Sequence, residues 1–182
     1  GAGLEEDVAG LRLLAEAVPE MLVASSCSKN FGLYRDRTGS LTLMAGDSAK
    51  VSAPLSQVCS ATRGIWSMPP DHGAAIVSTI LTDMDLRAQW EGEVTAMRDR
   101  INGLRASLVE SLAAAGAGDF SFIAREKGMF SFLGITPAQI ERLRQQFSIY
   151  LVDSSRINVA GVSSDNIGYL CEAVATVCGG GD

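Results

Sequence analysis

Apolar side chains recur every three or four residues along a segment that is much longer than an ordinary globular helix. Its apolar positions are Leu86, Trp90, Val94, Met97, Ile101, Leu104, Leu108 and Leu112. This spacing predicts one amphipathic helix, ended by the small residues at 113–116. A helix of that length suits a connection between two lobes. A coiled coil is the alternative, although the polar face lacks orderly heptad charges.

Shorter elements are predicted on both sides of this helix. A proline ends the first of them, and the Pro69-Pro70 pair places residues 63–73 in a loop. Ahead of the long helix we expect helix 4–18, buried strand 21–24, strand 40–45, helix 48–62 and helix 74–81. After it we expect strands 120–123 and 129–133, helix 136–147, strands 149–152 and 156–161, and a last helix capped by Ser163 or Ser164. Thr136, Pro137 and Gln139 form a capping-box signature.

Composition restricts the class of protein. With 47% hydrophobic and 20% charged residues the chain can build a core, and its net charge of −6 disfavours nucleic-acid binding. No apolar run is long enough for a membrane span, and no signal peptide is recognisable. Four scattered cysteines and one histidine offer too few ligands for a metal site, so a reduced, cytoplasmic protein is expected. Because the chain starts Gly1-Ala2-Gly3 without methionine, we expect a processed or excised piece.

The candidate chemistry lies in the polar stretch 25–39, directly after the apolar run 21–24. Small polar residues that follow a buried strand are where α/β folds usually place ligands. Hydroxyl groups and Arg37, eight residues beyond Lys29, could hold a phosphate while the lysine performs chemistry. The alternative is a polar turn with a solvated lysine.

Four segments follow one another along the chain in a characteristic order. They are Ser25-x-Cys27-Ser28-Lys29-x-Phe31-Gly32-Leu33-Tyr34-x-x-Arg37-x-Gly39, then Arg63-x-x-Trp66-Ser67-x-Pro69-Pro70-x-x-Gly73, then Gly128-Met129-Phe130-Ser131-Phe132, and Ser155-Arg156-Ile157-Asn158-Val159-Ala160-Gly161. Together they resemble the aspartate/aromatic aminotransferases, the fold-type-I, class-I enzymes that use pyridoxal 5'-phosphate. The resemblance covers essentially the whole chain.

The resemblance implies roles for the residues that would hold the cofactor. Lys29 would form the Schiff base with pyridoxal phosphate and shuttle a proton once the substrate displaces it. Ser26 and Arg37 would hold the cofactor phosphate, with Ser28 as a weaker candidate. Ser67 would lie near the phosphate of the neighbouring subunit of a homodimer with shared active sites.

The resemblance also implies a substrate site. Arg156 would bind the substrate α-carboxylate, and Arg63 would reach across the dimer interface to the side-chain carboxylate of a dicarboxylic substrate. Phe130 resembles an aromatic residue of the substrate pocket, although a plain core phenylalanine fits the position nearly as well. The implied reaction is ping-pong transfer of an amino group between aspartate and 2-oxoglutarate. Met68 stands where aspartate-type enzymes often carry asparagine, which leaves a preference for aromatic amino acids open.

The implied fold is α/β: the C-terminal part of the pyridoxal-phosphate-dependent transferase fold. Residues 1–84 would be the end of the large cofactor-binding domain, and residues 85–182 the long bridging helix with a small α+β domain. The cofactor-ring contacts of the family belong to an N-terminal part that this chain lacks. The isolated chain is therefore expected to be inactive. The alternatives are a truncated non-catalytic fragment or dimerising module, and a lysine-dependent enzyme unrelated to pyridoxal phosphate.

Overall fold

The computed structural model describes residues 1–179. The chain divides into two compact units, Ala2–Thr95 and a second that begins at Ala96 and includes Gly1. In chain order the elements are α1 Leu4–Asp7, α2 Ala9–Ala17, β1 Met21–Ser26, β2 Gly39–Met44, α3 Ser48–Trp66, α4 His72–Thr82, α5 Met84–Ala114, α6 Phe122–Arg125, β3 Phe130–Phe132, α7 Pro137–Phe147, β4 Arg156–Asn158, a 3-10 turn Val159–Gly161, and α8 Ile167–Gly179.

In the first unit, β1 and β2 form an antiparallel hairpin whose register runs from Met21 opposite Met44 to Ser26 opposite Gly39. The predicted strand at 21–24 is present as part of β1. The prediction that it is buried is wrong, since Leu22 is 66% exposed. The predicted inner face of helix 4–18 is also largely open, with Leu14 57% exposed. Within residues 2–95 no second apolar layer covers these side chains.

The second unit contains the hydrophobic core. Most of its fully buried side chains come from α5, α6, α7 and α8, including Leu108, Leu112, Ile123, Leu143, Val174 and Val177, and the 3-10 turn adds Val159. They form one continuous cluster. Burying each such aliphatic side chain contributes about 1.5–3 kcal/mol. The apolar side chains in the C-terminal half of α5 therefore stabilise this unit.

Two local helix signals are confirmed, while the single helix predicted at 4–18 is divided at Val8 into α1 and α2. Helix α5 spans 31 residues and contains the whole predicted segment. Helix α7 begins with the predicted capping box, in which the Gln139 backbone N–H donates to Thr136 Oγ1 at 3.2 Å and the Thr136 N–H donates to Gln139 Oε1 at 2.8 Å. Such reciprocal bonds satisfy two helix-end donors that would otherwise be unpaired.

Several predicted elements are wrong or differently bounded. Residues 120–123 are a turn and the start of α6, in which Phe120 and Ile123 lie one helical turn apart and are both buried. Residues 149–152 contain no strand, because no neighbouring strand pairs with them. Helix α3 continues to Trp66, past the predicted boundary. Strand β4 stops at Asn158, whose side chain accepts from the Ala160 N–H and starts the 3-10 turn.

None of the helices in the described part of the chain combines the length and apolarity required to cross a membrane.

Burial in this core predicts unequal cysteine reactivity. Desolvation raises the pKa of the Cys171 thiol from 9.0 to about 11, and the residue is 1% exposed. Because the thiolate is the nucleophile, we expect iodoacetamide at pH 8 to modify the exposed Cys59 while Cys171 stays unmodified until the protein unfolds. Peptide mass mapping over time measures both rates. Equal rates would contradict a closed core around Cys171.

Candidate active site

Two serine hydroxyls meet where β1 ends and the Lys29 turn begins. The Ser26 hydroxyl donates to Ser28 Oγ at 2.9 Å, and the Ser28 backbone N–H donates to Ser26 Oγ at 3.1 Å. Ser28 is 8% exposed, one of only two fully buried positions described in residues 2–95. Lys29 follows directly and is exposed, and its side chain has no hydrogen-bond or ion-pair partner among the described residues.

The hairpin places the backbone of Arg37 just beyond its paired end, on the strand opposite Ser26. Ser26 is paired with Gly39 in the strand register, and the Cys27 N–H donates to the Thr38 carbonyl at 3.0 Å. Arg37 is therefore the next residue beyond the end of the pairing. Its backbone has a φ of 53°, in the left-handed region, and its guanidinium donates to the Tyr34 carbonyl at 2.9 Å. The turn thus gathers two hydroxyls, one guanidinium and one amine at one end of the hairpin.

The N-terminus of α4 supports the Arg37 segment. His72 Nδ1 lies 3.1 Å from Asp36 Oδ1, which agrees with a structural role for this histidine. Gly73 is buried beneath the same segment. A Cβ built on Gly73 would lie 1.9 Å from Thr38 Oγ1 and 2.8 Å from Asp36 Cβ. Only glycine therefore permits this approach of α4 to the loop.

A Gly73→Ala substitution is expected to displace the Arg37 segment, because contacts below 3.0 Å force one partner to move. We expect a loss of about 1–3 kcal/mol in the free energy of unfolding, the usual cost of overpacking. Denaturant unfolding and amide exchange of residues 36–38 measure the two effects. Gly64→Ala, which meets nothing within 4 Å in α3, is the matched control and should be neutral or slightly stabilising. Similar behaviour of both variants would contradict the tight contact.

Trp90 contacts the other side of the Lys29 turn, and sequence analysis missed this role. The Trp90 ring stacks on Phe31 with centroids 4.6 Å apart and planes 11° apart. Its indole N–H donates to the Asn30 carbonyl at 2.8 Å. The apolar period of α5 predicted only that Trp90 lies on an inner face. No local signal in the sequence connects residues 60 positions apart.

Arg63 and Ser67 lie near the C-terminus of α3. The Ser67 N–H donates to the Arg63 carbonyl at 2.9 Å, and Ser67 has a φ of 59°. Both residues are exposed, and within the described residues neither side chain is hydrogen-bonded to the Lys29 turn. Among the described residues they are thus separate from the Ser26–Ser28 hydroxyl pair, and the roles assigned to them stay predictions.

In the second unit, Arg156 and Phe130 lie together on the β3–β4 pair. The Arg156 guanidinium carbon is 4.8 Å from the centre of the Phe130 ring, a cation–π geometry. The preceding residue, Ser155, is 3% exposed with a φ of 60°, and its hydroxyl oxygen accepts from the Gly134 N–H at 3.0 Å. The backbone before Arg156 is therefore fixed, and the guanidinium itself remains exposed on the strand.

A buried arginine that sequence analysis did not identify supports this strand pair. Arg105, on α5, is 2% exposed. Its guanidinium donates to five oxygens, from Ile123 O, Glu126 Oε2, Gly128 O, Phe130 O and Ser131 Oγ. Arg105 Nε has no partner among the described residues. One side chain thus fixes the turn that leads into β3.

The described residues contain no cluster of three or more metal-ligating side chains. The chemistry available in the first unit is instead a primary amine next to phosphate-type donors. In the second unit it is a guanidinium held over an aromatic ring, which suits a planar carboxylate.

Comparison with known proteins agrees with this set of groups. The family model described as "Aminotransferase class I and II" matches residues 1–174, and the chain belongs to this family. It is 52% identical over 176 residues to the aspartate aminotransferase of Escherichia coli K12, which covers 96% of the chain and 44% of that relative. It is 48% identical over 179 residues to the aromatic-amino-acid aminotransferase of Pseudomonas aeruginosa PAO1, which covers 98% of the chain and 45% of that relative.

A solved structure with the same fold is the aromatic-amino-acid aminotransferase from Burkholderia pseudomallei covalently bound to pyridoxal phosphate. The TM-score is 0.91 at 44% identity, and the match covers 96% of this chain and 44% of that one. The chain therefore has the mixed α/β fold of the aminotransferases. It spans less than half the length of the relatives that it matches.

Proposed function

We propose that these residues are the C-terminal portion of a pyridoxal-phosphate-dependent aminotransferase in which Lys29 binds the cofactor covalently. The enzyme would transfer an amino group between aspartate, together with aromatic amino acids, and 2-oxoglutarate by a ping-pong mechanism. The observation that carries the proposal is the Lys29 turn, in which the hydrogen-bonded Ser26 and Ser28 precede a lysine without a side-chain partner among the described residues, and Arg37 follows on the opposite strand end of the hairpin. Membership of the aminotransferase family supports it.

The donor set suits this cofactor. A phosphate monoester accepts hydrogen bonds through several oxygens, and hydroxyls with a guanidinium are its usual partners. Ser26 and Arg37 would hold the phosphate. The Ser26 hydroxyl would turn its proton from Ser28 Oγ to a phosphate oxygen, while the Ser28 backbone N–H keeps Ser26 Oγ in place. When bound, the cofactor supplies an electron sink that stabilises negative charge at the substrate α-carbon.

The residues of the chain would supply attachment, proton transfer and orientation. Lys29 Nζ would bind the cofactor and, once the substrate takes its place, would remove the proton from the substrate α-carbon and deliver it to C4′ of the cofactor. This role requires an amine that is not tied up in an ion pair, which agrees with the exposed Lys29 side chain.

Two arginines would select the substrate. Arg156, held over Phe130, would bind the α-carboxylate through its planar fork. Arg63 would bind the second carboxylate of aspartate in the partner subunit's site, and Ser67 would approach the partner subunit's cofactor phosphate. An aromatic substrate has no second carboxylate, so an Arg63→Leu variant should lose aspartate activity more than phenylalanine activity.

The proposal extends to assembly. Residues 1–84 would complete a large cofactor-binding domain, and residues 85–182 would form the bridging helix and small domain of a cytoplasmic homodimer. Several apolar side chains of the first unit are exposed, and we infer that further polypeptide packs against them in the complete enzyme. Leu22, Trp66 and Met68 are 66%, 61% and 83% exposed. The chain also spans 44% of the E. coli relative, so a similar enzyme would contain much more polypeptide.

Borohydride trapping tests the cofactor assignment. The chain contains only three lysines, Lys29, Lys50 and Lys127. In the complete protein incubated with pyridoxal phosphate and reduced, we expect the pyridoxyl group on the peptide that contains Lys29. Label on Lys50 or Lys127 instead, or on none of the three, would overturn the assignment.

A truncated, non-catalytic fragment or dimerising module is the second candidate. The specific observation in its favour is that the chain spans only 44–45% of its aminotransferase relatives while residues 2–95 leave apolar faces open. Intact mass of the natural protein distinguishes the two. A mass near 19.1 kDa without a second polypeptide favours the fragment. A larger mass, or a co-purifying chain, favours the working enzyme.

A further inference from the structure

The Lys29 turn is held by its backbone and not by the lysine side chain. Lys29 has no side-chain partner among the described residues, so its neighbours fix its position. Before it, the Cys27 N–H donates to the Thr38 carbonyl at 3.0 Å. Within the turn the Phe31 and Gly32 N–H groups donate to the Cys27 and Lys29 carbonyls at 3.3 and 3.4 Å, distances typical of weak bonds. The turn therefore needs a firmer anchor on its far side.

Trp90 provides that anchor through two contacts with consecutive residues. The indole N–H bond of 2.8 Å to the Asn30 carbonyl fixes the peptide unit that follows Asn30. The stack on Phe31, at 4.6 Å and 11°, fixes the orientation of the next side chain. A hydrogen bond constrains one atom and a stack constrains a plane, so together they restrict both translation and rotation of the turn. Trp90 itself stands on regular helix, six residues into α5.

We propose that Trp90 is a positioning residue for catalysis: it holds the Lys29 turn so that Nζ reaches both the cofactor and the substrate α-carbon. This inference rests on the proposed function, and it assigns to α5 a role in the reaction in addition to packing. Reaction rates are sensitive to such placement, because a shift of about 1 Å can cost about 100-fold in rate. Arg156 and Arg63 bind the substrate independently of this turn, so the loss should fall on kcat and leave KM nearly unchanged.

Two substitutions separate the two contacts. Trp90→Phe keeps an aromatic ring for the stack and removes the N–H donor, while Trp90→Leu removes both. In the complete aminotransferase we expect kcat to fall about 3- to 10-fold for Trp90→Phe and about 10- to 100-fold for Trp90→Leu, with KM within about twofold. Amide exchange of Phe31 and Gly32 should accelerate in the same order. Tyr169→Phe, which keeps its ring and removes only a hydroxyl donor to the Phe147 carbonyl in the second unit, is the matched control and should change neither quantity.

The possible outcomes separate this inference from the proposed function. Wild-type protein that fails to trap pyridoxal phosphate on Lys29 would overturn both. If the wild type traps it and both Trp90 variants keep the wild-type kcat, the positioning role is wrong and the proposed function stands. A rise in KM at unchanged kcat would also overturn the role. Should Trp90→Leu fail to fold, Trp90→Phe still decides, because it retains the ring and its packing.

Discussion

A Lys29→Ala variant of the complete protein is expected to lose covalent cofactor attachment and to transaminate at least about 10⁴-fold more slowly than the wild type. The variant loses two functions that depend on the Lys29 amine: attachment of the cofactor and proton transfer at the substrate α-carbon. The other two lysines of these 182 residues stand elsewhere along the chain, Lys50 in α3 and Lys127 after α6. Stopped-flow half-reaction kinetics and the visible absorption of the bound cofactor measure the loss.

Lys50→Ala is the matched control, because it removes an exposed lysine of the same unit. It should retain wild-type rate and absorption. Phosphate-site residues would give a different result from Lys29: Arg37→Leu should weaken cofactor affinity while leaving the attachment chemistry intact. Normal transamination by Lys29→Ala would show that the assignment of this lysine is wrong.

Local signals in the sequence predicted the elements that depend on local physics. The capping box at Thr136 and Gln139 and the long period of α5 were both confirmed, because hydrogen bonds and apolar spacing within one helix determine them. The prediction of a strand at 120–123 was wrong, because residue type alone does not determine which side chains share a buried side. Phe120 and Ile123 match a strand in residue type, but burying both on one side requires a helical turn.

Long-range contacts were not predictable from one sequence. The chain carries Trp90 and Asn30 at positions 60 residues apart, and Arg105 lies 18 to 26 residues from its partners. A tryptophan on an apolar helix face and an arginine in a helix have ordinary explanations, so neither residue type identified these roles. Motif resemblance predicts roles for Lys29, Ser26 and Arg37, and the β1–β2 register explains why their backbones lie at the same end of the hairpin.

Whether an apolar face is buried also depends on the layer that packs against it, which the pattern of that face does not show. The apolar period of helix 4–18 and the run at 21–24 predicted inner faces, yet Leu14 and Leu22 are 57% and 66% exposed. The second unit behaves differently, since its apolar positions on α5, α7 and α8 cover one another. A pattern shows that a face is suited to burial, and only the neighbouring layer determines whether the face is covered.

The largest expected effect on stability comes from the buried guanidinium of the second unit. An Arg105→Met variant should lower the free energy of unfolding of the core around Leu108, Leu112 and Leu143 by about 2–4 kcal/mol. Methionine fills similar space but donates no hydrogen bond, so Gly128 O, Phe130 O and the buried Ser131 Oγ lose this donor. The Ile123 carbonyl keeps the Glu126 N–H, and Glu126 Oε2 is on a partly exposed side chain. Orphaned acceptors in a low-dielectric core cost more than the net value of the bonds. Urea unfolding of the chain, followed through amide exchange of core residues, measures the change.

Two further variants distinguish loss of this network from loss of charge. Arg125→Met removes an exposed arginine of α6 and should change stability by no more than about 0.5 kcal/mol. Arg105→Lys keeps the charge, but its single ammonium reaches fewer of the five oxygens, so its loss should be intermediate. The Val159 N–H, which donates to the Met129 carbonyl beside β3, should exchange faster in both Arg105 variants. A neutral Arg105→Met would mean that apolar packing replaces the network. The position of Phe130 beneath Arg156 would then depend on the strand pairing alone.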